Sequence, residues 1–196
     1  MAHGAMDSWD GVSGPFFEKM GFETATAACL KILGDNMAQI DRLKEIVETL
    51  RSETGCPWDR AQTHSSLKPE VIEEAAEVVS GINILERTND AENLKEELGD
   101  LLLQVMFHSV IAEEEGLFTF EDVCQVVADK MVRRHPHVFS GVSYSSREEQ
   151  HAAWEEIKKA EKAGKEWYAD YLPEAFEEAQ QLIEQAKARK GLGGRG

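Results

Sequence analysis

Four carboxylates stand in two pairs at helical spacing. Glu74 and Glu77 form an E-x-x-E pair, and Glu97 and Asp100 an E-x-x-D pair. Residues three apart on a helix share a face, about one turn apart. A fold-back of the chain near Arg87 and Thr88 sets Glu77 level with Glu97 and Glu74 level with Asp100. The four acids then converge on one patch between two antiparallel helices. Like charges a few ångströms apart repel and raise each other's pKa values. A hard divalent cation removes that conflict, because Mg2+ takes oxygen ligands and keeps waters and phosphate oxygens in its shell. The chemistry this pattern suits is metal-dependent work on phosphate groups.

The elements that must hold these acids are legible around them. The second acidic helix, running to about Glu115 before Gly116, is apolar nearly all round: Leu98, Leu101, Leu102, Leu103, Val105, Met106, Phe107, Val110 and Ile111. That composition predicts a buried helix. At about 100° per residue Asp100 falls within about 20° of Phe107 and Ile111, so this acid must be paired or metal-bound. By the same count Glu73 points away from the apolar arc and reads as a surface residue. Asn89 and Asp90 can each cap the second helix, and Ser65 or Ser66 the first, with Pro69 in its first turn. Upstream, Met37, Ile40, Leu43, Ile46, Val47 and Leu50 predict a helix over about 36–53, with Gly55 placed to end it. Downstream, Thr119 and Asp122 resemble a capping box opening a helix over about 120–134, with Val123, Val126, Val127 and Met131 inward and Pro136 beyond its end. Ser146-x-x-Glu149 opens another over about 147–162, Gly164 breaks it, and a last amphipathic helix over about 174–190 follows Pro173. No strand pattern interrupts the series, so the expected fold class is all-α.

Cations and aromatics accompany the acids. Lys130 and Arg134 are four apart and share a helix face. A guanidinium fork and an ammonium both suit phosphate oxygens, and both equally complement a helix C-terminus. Trp154 and Lys158 are also four apart; they could stack a base and hold a phosphate, or form an ordinary exposed helix with a partly buried Trp. Trp58 beside Asp59, in the rigid Cys-Pro-Trp-Asp loop, could wall a base or plug the end of the bundle. Cys56 lacks the His-plus-acid pattern of a nucleophile. His64 reads as a cap or surface residue.

Composition bounds the function classes. The chain has 196 residues and a net charge of −16, which argues against wrapping a nucleic-acid backbone, since that needs a basic surface. A nucleotide substrate stays compatible, because a bound metal inverts the local field. Three cysteines, Cys29, Cys56 and Cys124, are widely spaced and odd in number, which suggests a reduced, cytoplasmic setting without a disulfide framework. No apolar run reaches about 18 residues, so no membrane partner is expected. Residues 1–35 are rich in Gly and Ser and lack helical period; they read as a leader, a linker or a docking arm, with a short helix over 22–33. The expected organisation is an N-terminal extension over 1–35, a domain over 36–162, and a C-terminal helix and tail over 163–196.

With these residues assembled, the chain resembles the MazG family of nucleoside triphosphate pyrophosphohydrolases over about 37–162. The resemblance rests on GCPWDRAQTH, EEAAEVV, EELGDLLLQVMFHSVIAEEEGLFTFEDV, KMVRRHPHVF and the Trp154/Lys158 pair, in that order. It implies an all-α antiparallel bundle completed by dimerisation, and Mg2+-dependent hydrolysis of a nucleoside triphosphate to monophosphate and pyrophosphate, with Mn2+ as a substitute ion. By motif position the metal ligands and catalytic acids would be Glu74, Glu77, Glu97 and Asp100. Lys130, Arg134, Trp154 and Lys158 would contact the nucleotide. Some members carry a basic residue one turn before E-x-x-D; here Asn93 stands there, with Lys95 nearby. Narrower relatives of the reading are a dUTP, dCTP or phosphoribosyl-nucleotide pyrophosphohydrolase, and a nucleotide-binding regulator without turnover.

Overall fold

The computed structural model describes residues 39–192. The N-terminal extension over 1–35, the short helix over 22–33 and Cys29 lie outside the described residues. The chain divides into two compact units, Met1–Glu45 and Ile46–Gly196. Only residues 39–45 of the first are described, and they are helical.

The described elements are helices, joined by turns. Helix α1 covers 39–51. It is followed by α2 (Pro57–Arg60), α3 (Lys68–Thr88), α4 (Glu92–Glu114), α5 (Phe120–Arg134), α6 (Pro136–Phe139), α7 (Arg147–Lys162), a 3-10 turn (Glu166–Tyr171) and α8 (Leu172–Arg189). No strand occurs among the described residues. The central pair is α3 and α4, packed antiparallel along their lengths; α8 lies on α3, and α5 bridges from α4 to α7.

The turn between α3 and α4 sets the register. Asn89 takes the left-handed conformation at φ 59° and ends α3, a role Asn tolerates better than most residues. Asp90 accepts a hydrogen bond from the Glu92 N–H at 3.0 Å, just before α4. Neither of the two residues expected to cap the second helix holds its cap position: Asn89 closes the first helix, Ala91 is the cap of α4, and Asp90 binds the Glu92 N–H from one place before it. Gly81 lets the pair approach closely. A Cβ there would stand 2.8 Å from Leu94 Cα, inside any real contact.

The core sits at the far half of α4. Met106, Phe107, Val110, Ile111 and Ala112 are buried with Val47, Leu67 and Phe120. Arg51, itself buried, ties the adjoining loops together: its Nε and Nη2 donate to Glu114 at 2.9 and 2.7 Å, and its Nη1 to the Asp59 and Gln62 carbonyls at 2.7 and 3.1 Å. Gly55 allows the chain to turn tightly there, since a Cβ would meet the Thr49 carbonyl oxygen at 2.2 Å.

Three local expectations are corrected. Helix α4 is not buried all round, for Leu98 is 50% exposed and Val105 faces out with it. Helix α5 does not turn Val126, Val127 and Met131 inward; Val126 is 66% exposed, and Val132 joins them. The reason is that α5 touches α4, α6 and α7 along one side, and no described element covers the other. Ser66 does not cap α3: it accepts from the Thr63 N–H in the preceding turn, and Leu67 occupies the cap position. The capping box of α5 forms as expected, with Asp122 N–H donating to Thr119 Oγ1 and Thr119 N–H to Asp122 Oδ2.

Candidate functional site

Carboxylate oxygens of Glu74, Glu97 and Asp100 lie within 4.8 Å of one another on the facing sides of α3 and α4. Glu97 is buried and Glu74 and Asp100 are half-buried. Burial first, and then the charges of Asp100, Glu77, Glu97 and Glu70, push the Glu74 carboxyl up to about 7. Burial likewise raises Glu97 above the usual carboxylate range, against a lowering hydrogen bond from Asn93. Asn93 Nδ2 donates to Glu97 Oε1 at 2.7 Å, which fixes the carboxylate's orientation. Among the described residues no Lys or Arg pairs with Glu74, Glu97 or Asp100. A half-buried set of hard oxygen donors, left without a compensating charge, fits a hard divalent cation.

Glu77 stands apart from this triad. It is close enough to Glu97 to raise that carboxyl by hydrogen bond and charge, yet its Oε1 is held by Lys190 Nζ. Lys190 also reaches Glu73 Oε1 at 2.8 Å, and Arg189 Nη2 reaches Glu73 Oε2 at 2.5 Å. These two cations hold the Glu73 carboxyl below its ordinary value, with Lys190 the larger cause, and the acids in turn raise Lys190. Glu73 is thus not the free surface residue its position on α3 suggested; its side chain is 16% exposed, covered by the end of α8. The Lys68–Glu178 pair at 2.9 Å fastens α8 to α3 nearer its start. A cavity of about 480 Å3 opens between α3, α4 and α8, with Glu77, Asn93, Glu97, Lys187 and Lys190 on its walls. Sequence reasoning missed Lys190, Arg189 and Lys187. Their only signal was basic residues at the end of an amphipathic helix, and nothing in the pattern says where such a helix docks.

The expected nucleotide contacts gather elsewhere. Arg134 clamps Glu161 with Nε and Nη2 at 2.9 and 2.7 Å, and Arg133 meets the other oxygen of the same carboxylate. Both lower the Glu161 carboxyl, Arg134 the more. Lys158 Nζ sits 4.0 Å from the centre of the Trp154 ring and donates to Glu155 at 3.0 Å. The Arg134 guanidinium carbon also lies over the ring, 5.9 Å from its centre. Arg134 and Trp154 line a second cavity, about 410 Å3, together with His137, Tyr144 and His151. Lys130 is half-buried one turn before Arg134 on α5. The structure therefore assembles Arg134, Trp154 and Lys158 into one basic-aromatic cluster, and shares none of its cavity with the acids.

Two candidates stand away from both clusters. Trp58 is 63% exposed on α2, so it does not plug the bundle. Lys95 is exposed and pairs with Glu92 along α4. His64 is more than a surface residue: its Nδ1 lies 2.7 Å from Nδ1 of His108, the rings stacked, with burial as the main cause lowering the His108 pKa.

Comparison with known proteins agrees with the motifs. Residues 62–139 match the MazG nucleotide pyrophosphohydrolase domain. The chain is 47% identical over 130 residues to the nucleoside triphosphate pyrophosphohydrolase of Escherichia coli K12, covering 66% of this chain and 48% of that protein. It is 50% identical over 128 residues to the nucleoside triphosphate pyrophosphohydrolase/pyrophosphatase MazG of Thermotoga maritima, covering 64% and 46%. It is 47% identical over 124 residues to the uncharacterized protein YabN of Bacillus subtilis, covering 63% and 24%. The matched stretch spans about half or less of each of these relatives.

Proposed function

We infer from the match of residues 62–139 to the MazG nucleotide pyrophosphohydrolase domain that the chain is a member of that family and hydrolyses nucleoside triphosphates to nucleoside monophosphates and pyrophosphate. The observation that carries this reading is the uncompensated triad of Glu74, Glu97 and Asp100, within 4.8 Å of one another at the seam of α3 and α4. A polyphosphate needs a cation, and this is the place among the described residues where three acids offer one a bed.

Glu74, Glu97 and Asp100 would hold a divalent metal, Mg2+ by preference with Mn2+ as substitute, and Glu77 would complete the set. When bound, the ion neutralises charge on the phosphate oxygens and on the leaving pyrophosphate. The chain's own residues do the rest. Asn93 holds the Glu97 carboxylate in one orientation. Water attacks the α-phosphorus, the bond to the bridging oxygen of the β-phosphate breaks, and pyrophosphate leaves. A carboxylate of the cluster takes the proton of the attacking water, Glu74 and Glu77 being the two to test. Lys130, Arg134 and Lys158 would supply positive charge for the phosphates, and the Trp154 ring a face for the base; in a single chain Arg134 and Trp154 line a cavity apart from that of the acids.

Two further features complete the reading. The uncovered apolar face of α5, with Val126, Val127, Met131 and Val132, supports a homodimer in which a second copy covers it. No helix among the described residues is long and apolar enough to cross a membrane, and Cys56 and Cys124 are free thiols. We place the enzyme in the cytoplasm, and its net charge of −16 disfavours a nucleic-acid backbone as partner.

The test is pyrophosphate release measured across the common and modified nucleoside triphosphates, with and without Mg2+. Metal-dependent release of equal monophosphate and pyrophosphate is expected. Turnover of dUTP or dCTP alone would narrow the substrate class. Binding without any release would replace the enzyme by a nucleotide-binding regulator.

A further inference from the structure

The end of α8 reaches the acids from outside the matched stretch, and its chemistry is that of a phosphate ligand. Lys190 Nζ carries three N–H donors. Two are directed at Glu73 Oε1 and Glu77 Oε1. The third has no acceptor among the described residues, and Lys190 lines the cavity of about 480 Å3 that Glu97 also lines. Lys187, one turn earlier, lines the same cavity, although its own ammonium pairs with Glu184 at 2.7 Å. Lys190 therefore pairs with Glu77, the acid next to Glu97, and lines with both of them a volume large enough for a polyphosphate.

We propose that Lys190, the residue that caps the end of α8, is a substrate-binding residue: it holds Glu77 with one donor and takes a phosphate oxygen of the metal-bound polyphosphate with another. This deepens the pyrophosphohydrolase reading and rests on it. The segment after residue 162 is then part of the site rather than a tail beyond the domain. An ammonium shared between two carboxylates is well placed for this, because their charge keeps it protonated and aimed while the third donor stays free.

The test is calorimetric binding of inorganic pyrophosphate to the full chain in saturating Mg2+, with Mg2+ alone as the control titration. Lys190→Gln is expected to weaken pyrophosphate binding by about tenfold or more. It should leave binding of Mg2+ alone within a few-fold, which shows the acids intact and the chain folded. Lys190→Arg should recover most of the loss. Glu73→Gln, which breaks the neighbouring ion pair and keeps the cation, should leave pyrophosphate affinity in place. Unchanged affinity in Lys190→Gln would overturn the proposal and leave Lys190 as an ion pair that fastens α8. Tighter pyrophosphate or Mg2+ binding in Lys190→Gln would overturn it too, because Lys190 would then be a plug that ligands must displace. A wild-type chain that binds pyrophosphate through Lys190 yet releases none from any triphosphate would sink the enzymatic reading alone.

Discussion

Replacing Glu74 by Gln should do two opposite things to the stability of the chain, and the pair of effects is diagnostic. Without a bound cation, burial and four neighbouring acids raise the Glu74 carboxyl from 4.5 to about 7. The folded state then binds more protons than the unfolded state between those two values. By linkage, stability is greatest below 4.5 and falls as pH rises through about 7. At ~1.4 kcal/mol per pH unit the full effect would be ~3 kcal/mol. Glu74 is half-open to water, which screens it, so ~1 kcal/mol is the working figure. For a chain of this size that is roughly 2–4 °C in melting temperature. Glu74→Gln removes the ionisation, so in EDTA at pH 8 the variant should melt about that much above the wild type, and level with it near pH 5. Millimolar Mg2+ should act the other way. At a hundredfold excess over its Kd it stabilises the wild type by ~2.7 kcal/mol, and the variant should lose most of that gain. Melting curves at the two pH values, with EDTA and with Mg2+, settle it. A variant that gains nothing in EDTA at pH 8, or that keeps the full Mg2+ shift, would refute the convergence of these carboxylates on one cation.

Other perturbations follow from the same geometry. Glu77→Gln should cost on the order of 10²-fold or more in kcat with the fold kept, by steady-state pyrophosphate release and circular dichroism. Gly81→Ala forces a Cβ to 2.8 Å from Leu94 Cα, so α3 and α4 must part. We expect ~1–3 kcal/mol lost in urea denaturation and a weaker Kd for Mg2+. Arg51→Ala strands the Asp59 and Gln62 carbonyls and frees Glu114. A loss of ~2–3 kcal/mol in the same denaturation assay is expected, with Mg2+ affinity unchanged because the acids are carried by other turns of α3 and α4.

Much of the acidic centre was written in local order. The E-x-x-E and E-x-x-D spacings, the turn residues Asn89 and Asp90, and the apolar run of α4 together set two antiparallel helices in register. Helical period and turn chemistry are properties of neighbours in the chain, so one sequence reveals them. The same holds for the α5 capping box and the end of α7 at Lys162. Of the four acids expected on one patch, the structure groups three, Glu74, Glu97 and Asp100, while Glu77 pairs with Lys190.

What the sequence by itself determined is therefore the helical class, the motifs that match the MazG domain over residues 62–139, and which acids face one another across α3 and α4. Only the tertiary structure decided what meets them from afar. Lys190 and Glu77 are 113 residues apart, and no periodicity encodes the docking of α8 on α3. Likewise Val126, Val127 and Met131 belong to an apolar arc of α5, yet no described element covers the side that carries them. Amphipathicity tells that a helix has a face to bury; which surface buries it depends on packing among all the elements at once.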